Sequence, residues 1–169
     1  RARFGEPWFK GETLSVSIGQ GYVLATPLQM ANVIATVANG GTRYRPHFVK
    51  RIDNAAGEVV EEIQPEVVGH AGLRKSTLLQ IREALRDVVN APNGTGKKAK
   101  LPNIDVGGKT GTSQVFKMGK QVKTNNMPRH LRDHAWFVAF APVDDPEIAI
   151  AVLIEHAGGG GGAMAAPIA

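Results

Sequence analysis

The stretch NIDVGGKTGTSQV, residues Asn103 to Val115, decides how the rest of the chain is read. Its centre, Gly108-Lys109-Thr110, ends the way a phosphate-binding loop ends, and it equally fits an extended strand lying beside a ligand. A phosphate loop needs a first glycine separated from Gly108 by four residues, and that position holds Asn103. It also needs a helix to begin after Lys109, yet Thr110-Gly111-Thr112-Ser113-Gln114-Val115 contains Gly, Thr and Val, which form helices poorly. No later strand ends in a Mg²⁺-binding aspartate, since Asp144 and Asp145 fall in a turn. A nucleotide loop is therefore excluded.

As a strand the same residues are coherent. Alternation puts Lys109 and Gly111 on one side, and Thr110 and Thr112 on the other. Gly111 has no Cβ, so a neighbouring element can approach closely. The strand edge offers backbone N–H groups to a carbonyl oxygen, and two hydroxyls with an ammonium beside it can hold a carboxylate. That set recognises a peptide C-terminus and stabilises the oxyanion formed when its last amide is attacked.

The surrounding chain sets the scale. Its 169 residues suffice for one domain with a real core, and 43% hydrophobic with 21% charged residues is ordinary globular composition. No run of about 18 apolar residues and no signal peptide are present, so any anchor of the parent protein is expected outside this segment. With no cysteine, disulfide scaffolds, thiol nucleophiles and cysteine-ligated zinc are out. Net charge is +5, and Lys117, Lys120, Lys123, Arg129 and Arg132 cluster against Asp133 alone. Such a basic loop, following the substrate strand, is expected to overhang a cleft and meet anionic ligands, with a solvated loop as the plainer alternative.

Local signals predict the other elements. Thr26, Pro27 and Gln29 form a capping box with proline at the first helical position, and Leu28, Ala31, Ile34, Ala35 and Ala38 follow as an apolar stripe that Gly40-Gly41 ends. SVSIGQGYVL before it is expected to be a buried loop or short turn. Two short peripheral strands are predicted around a turn at Asn54 to Gly57, and a second helix over STLLQIREALRDVVN, with Leu78, Ile81, Leu85 and Val88 on one face. PNGTGKKAK reads as a flexible connector. HAWFVAFAP and EIAIAVLIEH are strands joined through Pro142 to Pro146, and the second, apolar on both faces, is expected inside a sheet with a helix packed on its alanine face. Gly158 to Gly162 are expected to be mobile unless held, and a new apolar element begins after them, so a helix is expected beyond Ala169.

Taken in order, GETLSVSIGQGYVLATPLQMANVIATVANGG, GGKTGTSQV, DHAWFVAFAP and AIAVLIEH resemble the transpeptidase domain of class B penicillin-binding proteins. FGEPWFKGET, APNGTGKKA and LRDHAWFVAFAP resemble its elongation-specific branch, penicillin-binding protein 2. The resemblance spans nearly the whole chain. It implies an α/β fold of the α+β type, a five-stranded and mainly antiparallel sheet with helices on both faces, of which residues 1–169 are the C-terminal portion of a single domain. It implies D,D-transpeptidation of peptidoglycan stem peptides, acylation by β-lactams, and a periplasmic catalytic domain on a membrane anchor. Lys109 matches the lysine that positions and tunes the catalytic serines. Thr110 and Thr112 match the hydroxyls that hold the substrate carboxylate, the Thr112 N–H matches half of an oxyanion hole, and Gly111 matches a close-packing glycine. Neither metal nor cofactor is implied, and no nucleic acid; the partners implied are a membrane glycan polymerase and elongation-complex scaffolds.

One departure is large. The family needs Ser-x-x-Lys and Ser-x-Asn motifs. The serines here, Ser15, Ser17, Ser76 and Ser113, have Ile18, Gln20, Leu79 and Phe116 three residues on, and none has Asn two on. The chain alone is therefore expected to be inactive, the nucleophile belonging to a segment before Arg1. A serine β-lactamase, a D,D-carboxypeptidase or a non-catalytic β-lactam sensor on the same fold stay open as alternatives. Asp133-His134 is expected to be structural or to rim the cleft, because neighbours on a strand point to opposite faces. His47, His70, His130 and His156 show no metal-ligand spacing, and Trp8 and Trp136 are expected to pack rather than to stack on sugar.

Overall fold

The computed structural model describes residues 5, 7–115 and 126–169. Helix α2, Pro27–Ala38, forms where the capping box predicts it: Gln29 N–H donates to Thr26 Oγ1 at 3.2 Å, and Thr26 N–H donates to Gln29 Oε1 at 2.8 Å. Ile34 and Ala38 are buried. Leu28, the first residue of the predicted stripe, is exposed. At about 100° per residue it stands roughly 120° around the axis from Ile34, outside the buried arc. Ahead of α2 lies an unexpected helix, α1, Lys10–Ser17. It starts where Phe9 N–H donates to the Glu12 carboxylate at 2.8 Å. The SVSIGQGYVL segment is thus partly helical and mostly exposed, not a buried loop.

Two small antiparallel pairs follow. β1, Thr42–Tyr44, pairs with β4, Val67–His70, which the sequence pattern did not announce. β2, Arg51–Asp53, and β3, Val59–Glu62, form the expected peripheral hairpin. Its turn is closed by Asn54 Oδ1, which accepts from the N–H groups of Ala56 and Glu58 at 2.9 and 3.0 Å.

The core is a three-stranded antiparallel sheet in the order β5, Gly107–Ser113; β6, His134–Ala141; β7, Ile148–Ile154. β6 is central, and alternation divides its side chains between two clusters. On one face Val138 and Phe140 pack with Ile34 and Ala38 of α2, Val143, and Ala149 and Ala151 of β7. On the other Ala135, Phe137 and Ala139 pack with Val89 and Val106, with Ala165 and Ala166, and with Ile150, Val152 and Ile154 of β7. The alanine face of β7 does carry a helix, as predicted. Among the described strands β7 pairs with β6 along one edge, and apolar alternation reports what covers a strand's faces while it is silent about its edges.

Helix α3, Lys75–Asn90, anchors the entry to β5. Arg86 pairs with the Asp105 carboxylate, and that pairing holds the guanidinium above its ordinary pKa. Arg82 donates to the Val143 carbonyl. Asn90 Nδ2 donates to the carbonyls of Arg86 and Val106, each at 2.9 Å. Val106 is buried, so Asn90→Ala in the whole protein strands its carbonyl and should lower stability by about 1–3 kcal/mol, read by chemical denaturation. The PNGTGKKAK segment is no free connector. Gly96 N–H donates to the Val88 carbonyl at 2.8 Å and Lys97–Ala99 forms a 3₁₀ turn. A four-residue helix, α4, Gly161–Met164, starts within the glycine run and leads into a 3₁₀ turn at Ala166–Ile168.

Candidate active site

β5 presents one edge to β6 and the other away from it. The register sets Lys109 opposite Val138, Thr110 opposite Phe137, Gly111 opposite Trp136 and Thr112 opposite Ala135. In an antiparallel ladder the N–H and C=O of one residue point the same way, alternating along the strand. Two side-chain bonds show which residues face outward: Lys109 Nζ donates to the Thr110 carbonyl at 2.7 Å, and Gln20 Nε2 donates to the Thr112 carbonyl at 3.0 Å. Thr110 and Thr112 therefore direct their backbone groups to the edge away from β6. The Thr112 N–H sits on that edge between two carbonyls, each carrying a donor.

Side chains divide as alternation demands. Lys109 is exposed on the face of Trp136 and Val138, where Gly111 leaves room: a Cβ there would stand 3.2 Å from Trp136 Cβ. Thr110 and Thr112 share the opposite face. The Thr110 hydroxyl is 3.0 Å from that of Thr95, and a Cβ on Gly160 would lie 3.6 Å from Thr112 Oγ1. Closer still is Gly161, where a Cβ would stand 1.9 Å from the Trp136 carbonyl oxygen and 2.7 Å from that of Gly111. The glycine run thus lies directly on the backbone of β5 and β6. Within four successive residues the strand carries an ammonium on one face, two hydroxyls on the other and an N–H on the edge between them, groups of the kind that bind an anionic peptide terminus and receive negative charge on an acyl oxygen.

Gln20, Thr95 and Gly161 were not singled out as site residues. Gly-Gln-Gly marks a turn in the sequence, but nothing in the spacing tells that its side chain reaches a strand 92 residues on.

At the last pair of the β5–β6 ladder, opposite Ser113, His134 Nδ1 accepts from the His156 backbone N–H at 2.9 Å, and the two rings meet edge to face at 4.7 Å. Asp133 is buried, and its carbonyl accepts from Gly158 N–H at 3.3 Å. Asp133 and His134 so hold the turn after β7, in keeping with a structural role. Among the described residues no three His, Cys, Asp or Glu side chains group as a metal site. Trp8 is half exposed, its ring tilted against Tyr22 at 6.5 Å. Of the basic loop, Lys117, Lys120 and Lys123 lie outside the described residues; Arg129 is exposed, and Arg132 Nε donates to the Met127 carbonyl at 2.8 Å.

Residues 3–169 match the family described as Penicillin binding protein transpeptidase domain. Peptidoglycan D,D-transpeptidase MrdA of Haemophilus influenzae is 42% identical across 99% of this chain and 26% of its own length. Its namesake from Escherichia coli K12 is 34% identical across 94% of the chain and 25% of its own length. The chain thus spans about a quarter of the length of these curated relatives. Among solved structures, Pseudomonas aeruginosa PBP2 in complex with WCK 5153 superposes with a TM-score of 0.74 at 34% identity, covering 99% of this chain and 33% of that one. Helicobacter pylori PBP2, solved in complex with MreC, superposes with a TM-score of 0.73 at 31% identity, covering 98% and 28%.

Proposed function

Because this chain belongs to the penicillin-binding protein transpeptidase domain family, we propose that the protein carrying it is a serine-type peptidoglycan D,D-transpeptidase of the elongation-specific branch. The chain is the C-terminal portion of its catalytic domain. The observation that carries this reading is the Thr112 N–H on the open edge of β5, flanked by Lys109 and two threonine hydroxyls.

The chemistry follows from that edge. A serine from a part of the protein outside these residues attacks the penultimate D-Ala carbonyl of a stem peptide. As the carbonyl oxygen gains charge, the Thr112 N–H donates to it, at no cost in reorganisation because the strand already holds it. Lys109 adds positive charge beside the reacting serine and favours the alkoxide-like transition state. The hydroxyls of Thr110 and Thr112 bind the terminal carboxylate and so set the scissile bond in register with the oxyanion donor. Terminal D-Ala leaves, and an amine of a neighbouring peptide takes the acyl group; a β-lactam acylates the same serine. On this reading the protein works in the periplasm on a membrane anchor, with a glycan polymerase and a scaffold as partners. A scaffold is supported by the relative solved with MreC.

Incubation of the whole protein with a stem peptide and an acceptor amine should give cross-linked product by mass spectrometry. Hydrolysis alone would make it a carboxypeptidase. The isolated 169-residue chain, lacking Ser-x-x-Lys, should show no penicilloyl mass increment after exposure to benzylpenicillin, and an adduct on it would refute the assignment of the nucleophile elsewhere.

A further inference from the structure

We propose that Gln20 is a positioning residue of the acyl-transfer site: its side-chain amide holds the edge of β5 so that the Thr112 N–H stays aimed at the acyl oxygen. This deepens the transpeptidase reading and rests on it.

The ladder to β6 holds β5 along one edge; the edge away from β6 has no strand ladder within the described residues, so the attachments on that side are made by side chains. Lys109 holds the Thr110 carbonyl and Gln20 holds the Thr112 carbonyl. The peptide unit between Gly111 and Thr112, whose N–H is the proposed oxyanion donor, lies between these two attachments. Both add to the hold of the β6 ladder, and glycine at 111 makes them matter, because it leaves the backbone there freer to rotate than any other residue would. Gln20 is itself well placed to act as a fixed post. Gly19 and Gly21, at φ of 75° and 70°, take a conformation that other residues seldom adopt. The turn they make is closed onto the end of α1 by Gly19 N–H to the Val16 carbonyl and Gln20 N–H to the Ser15 carbonyl, each at 2.9 Å. The amide of Gln20 is thus projected from a hydrogen-bonded turn and not from a free loop.

Loss of the Gln20 donor does not delete the oxyanion donor; it lets it wander. The expected effect is therefore smaller than the about 10²–10³-fold of a deleted donor, and about tenfold is expected. In the whole protein, Gln20→Leu should lower the first-order acylation constant for benzylpenicillin about tenfold, while the dissociation constant of the non-covalent complex changes less than about twofold and melting is little altered. Gln20→Glu keeps the shape but presents only acceptors when ionised. Its activity relative to wild type should be as low as that of the Leu variant at neutral pH, and should recover as pH falls into the ordinary range of a glutamic acid, about 4.3, where the protonated acid can donate. A residue that merely packs would show no such recovery. Amide hydrogen exchange over residues 110–114 should be faster in both variants at neutral pH. Wild-type acylation in Gln20→Leu, a flat Glu-to-wild-type ratio with pH, or unchanged exchange overturns the inference. A wild-type protein that penicillin never acylates overturns the transpeptidase reading, and with it the purpose given to Gln20, while the exchange data separately decide whether the strand is held.

Discussion

Lys109→Ala in the whole protein is expected to lower the second-order rate constant for acylation by benzylpenicillin by about 10²–10³-fold with little change in melting temperature. The reasoning starts from exposure. Lys109 is exposed, and its ammonium bonds the Thr110 carbonyl on the strand edge, so its removal opens no cavity in either apolar cluster. On the proposed mechanism, what is lost is a positive charge beside the reacting serine, together with one of the two side-chain attachments near the Gly111–Thr112 peptide. Lys109→Arg should restore little of the loss, since a planar guanidinium cannot take the place of a compact ammonium at a point contact. Stopped-flow acylation with a fluorescent penicillin and a parallel thermal melt check this. A rate within threefold of wild type would remove Lys109 from the mechanism, and a collapsed melt would assign it to the fold.

Gly161→Ala is expected to be strongly damaging. Its Cβ would meet the Trp136 carbonyl oxygen at 1.9 Å and the Gly111 backbone nitrogen at 2.9 Å. All of these are backbone atoms of a paired sheet, so no rotamer change relieves the clash and the start of α4 must lift away from β5 and β6. Ala165 and Ala166, buried just beyond, are levered out of the core with it. Overpacking of this kind costs about 3 kcal/mol. Acylation should fall as well, because the displaced segment rests on Gly111 of the substrate strand. Gly11→Ala is the matched control: it lies in α1 with nothing within 4 Å of a Cβ, and alanine there should be neutral or stabilising. Denaturant titration of both variants in the whole protein provides the comparison. Equal stabilities would mean that α4 does not sit on the sheet as described.

What was legible in the sequence was what local chemistry determines. Helix α2 follows from Thr26, Pro27 and Gln29, whose hydrogen bonds close within one turn. β5 follows from the poor helix formers after Lys109, and its partition of Lys109 and Gly111 from Thr110 and Thr112 follows from the pleat. α1 leaves no such signal in the sequence, because its first turn is capped through Glu12 and has Phe9, not Ser or Thr, at the cap. Which neighbours a strand has along its edges leaves no pattern, since only its faces do. The contacts that shape the site join distant residues through side chains: Gln20 with Thr112, Thr95 with Thr110, His134 with His156, Gly161 with Trp136. No periodicity encodes them, because each depends on how whole elements come together after their own patterns have been satisfied.

The central claim is that the open edge of β5 receives the acyl group. A crystal structure of the whole protein acylated by benzylpenicillin tests it most directly. The acyl carbonyl oxygen should lie within about 2.7–3.1 Å of the Thr112 backbone nitrogen, with the ligand carboxylate on the hydroxyls of Thr110 and Thr112. An acyl group bound to its serine with that oxygen turned away from β5, or with Thr112 N–H buried against another strand, would contradict the account.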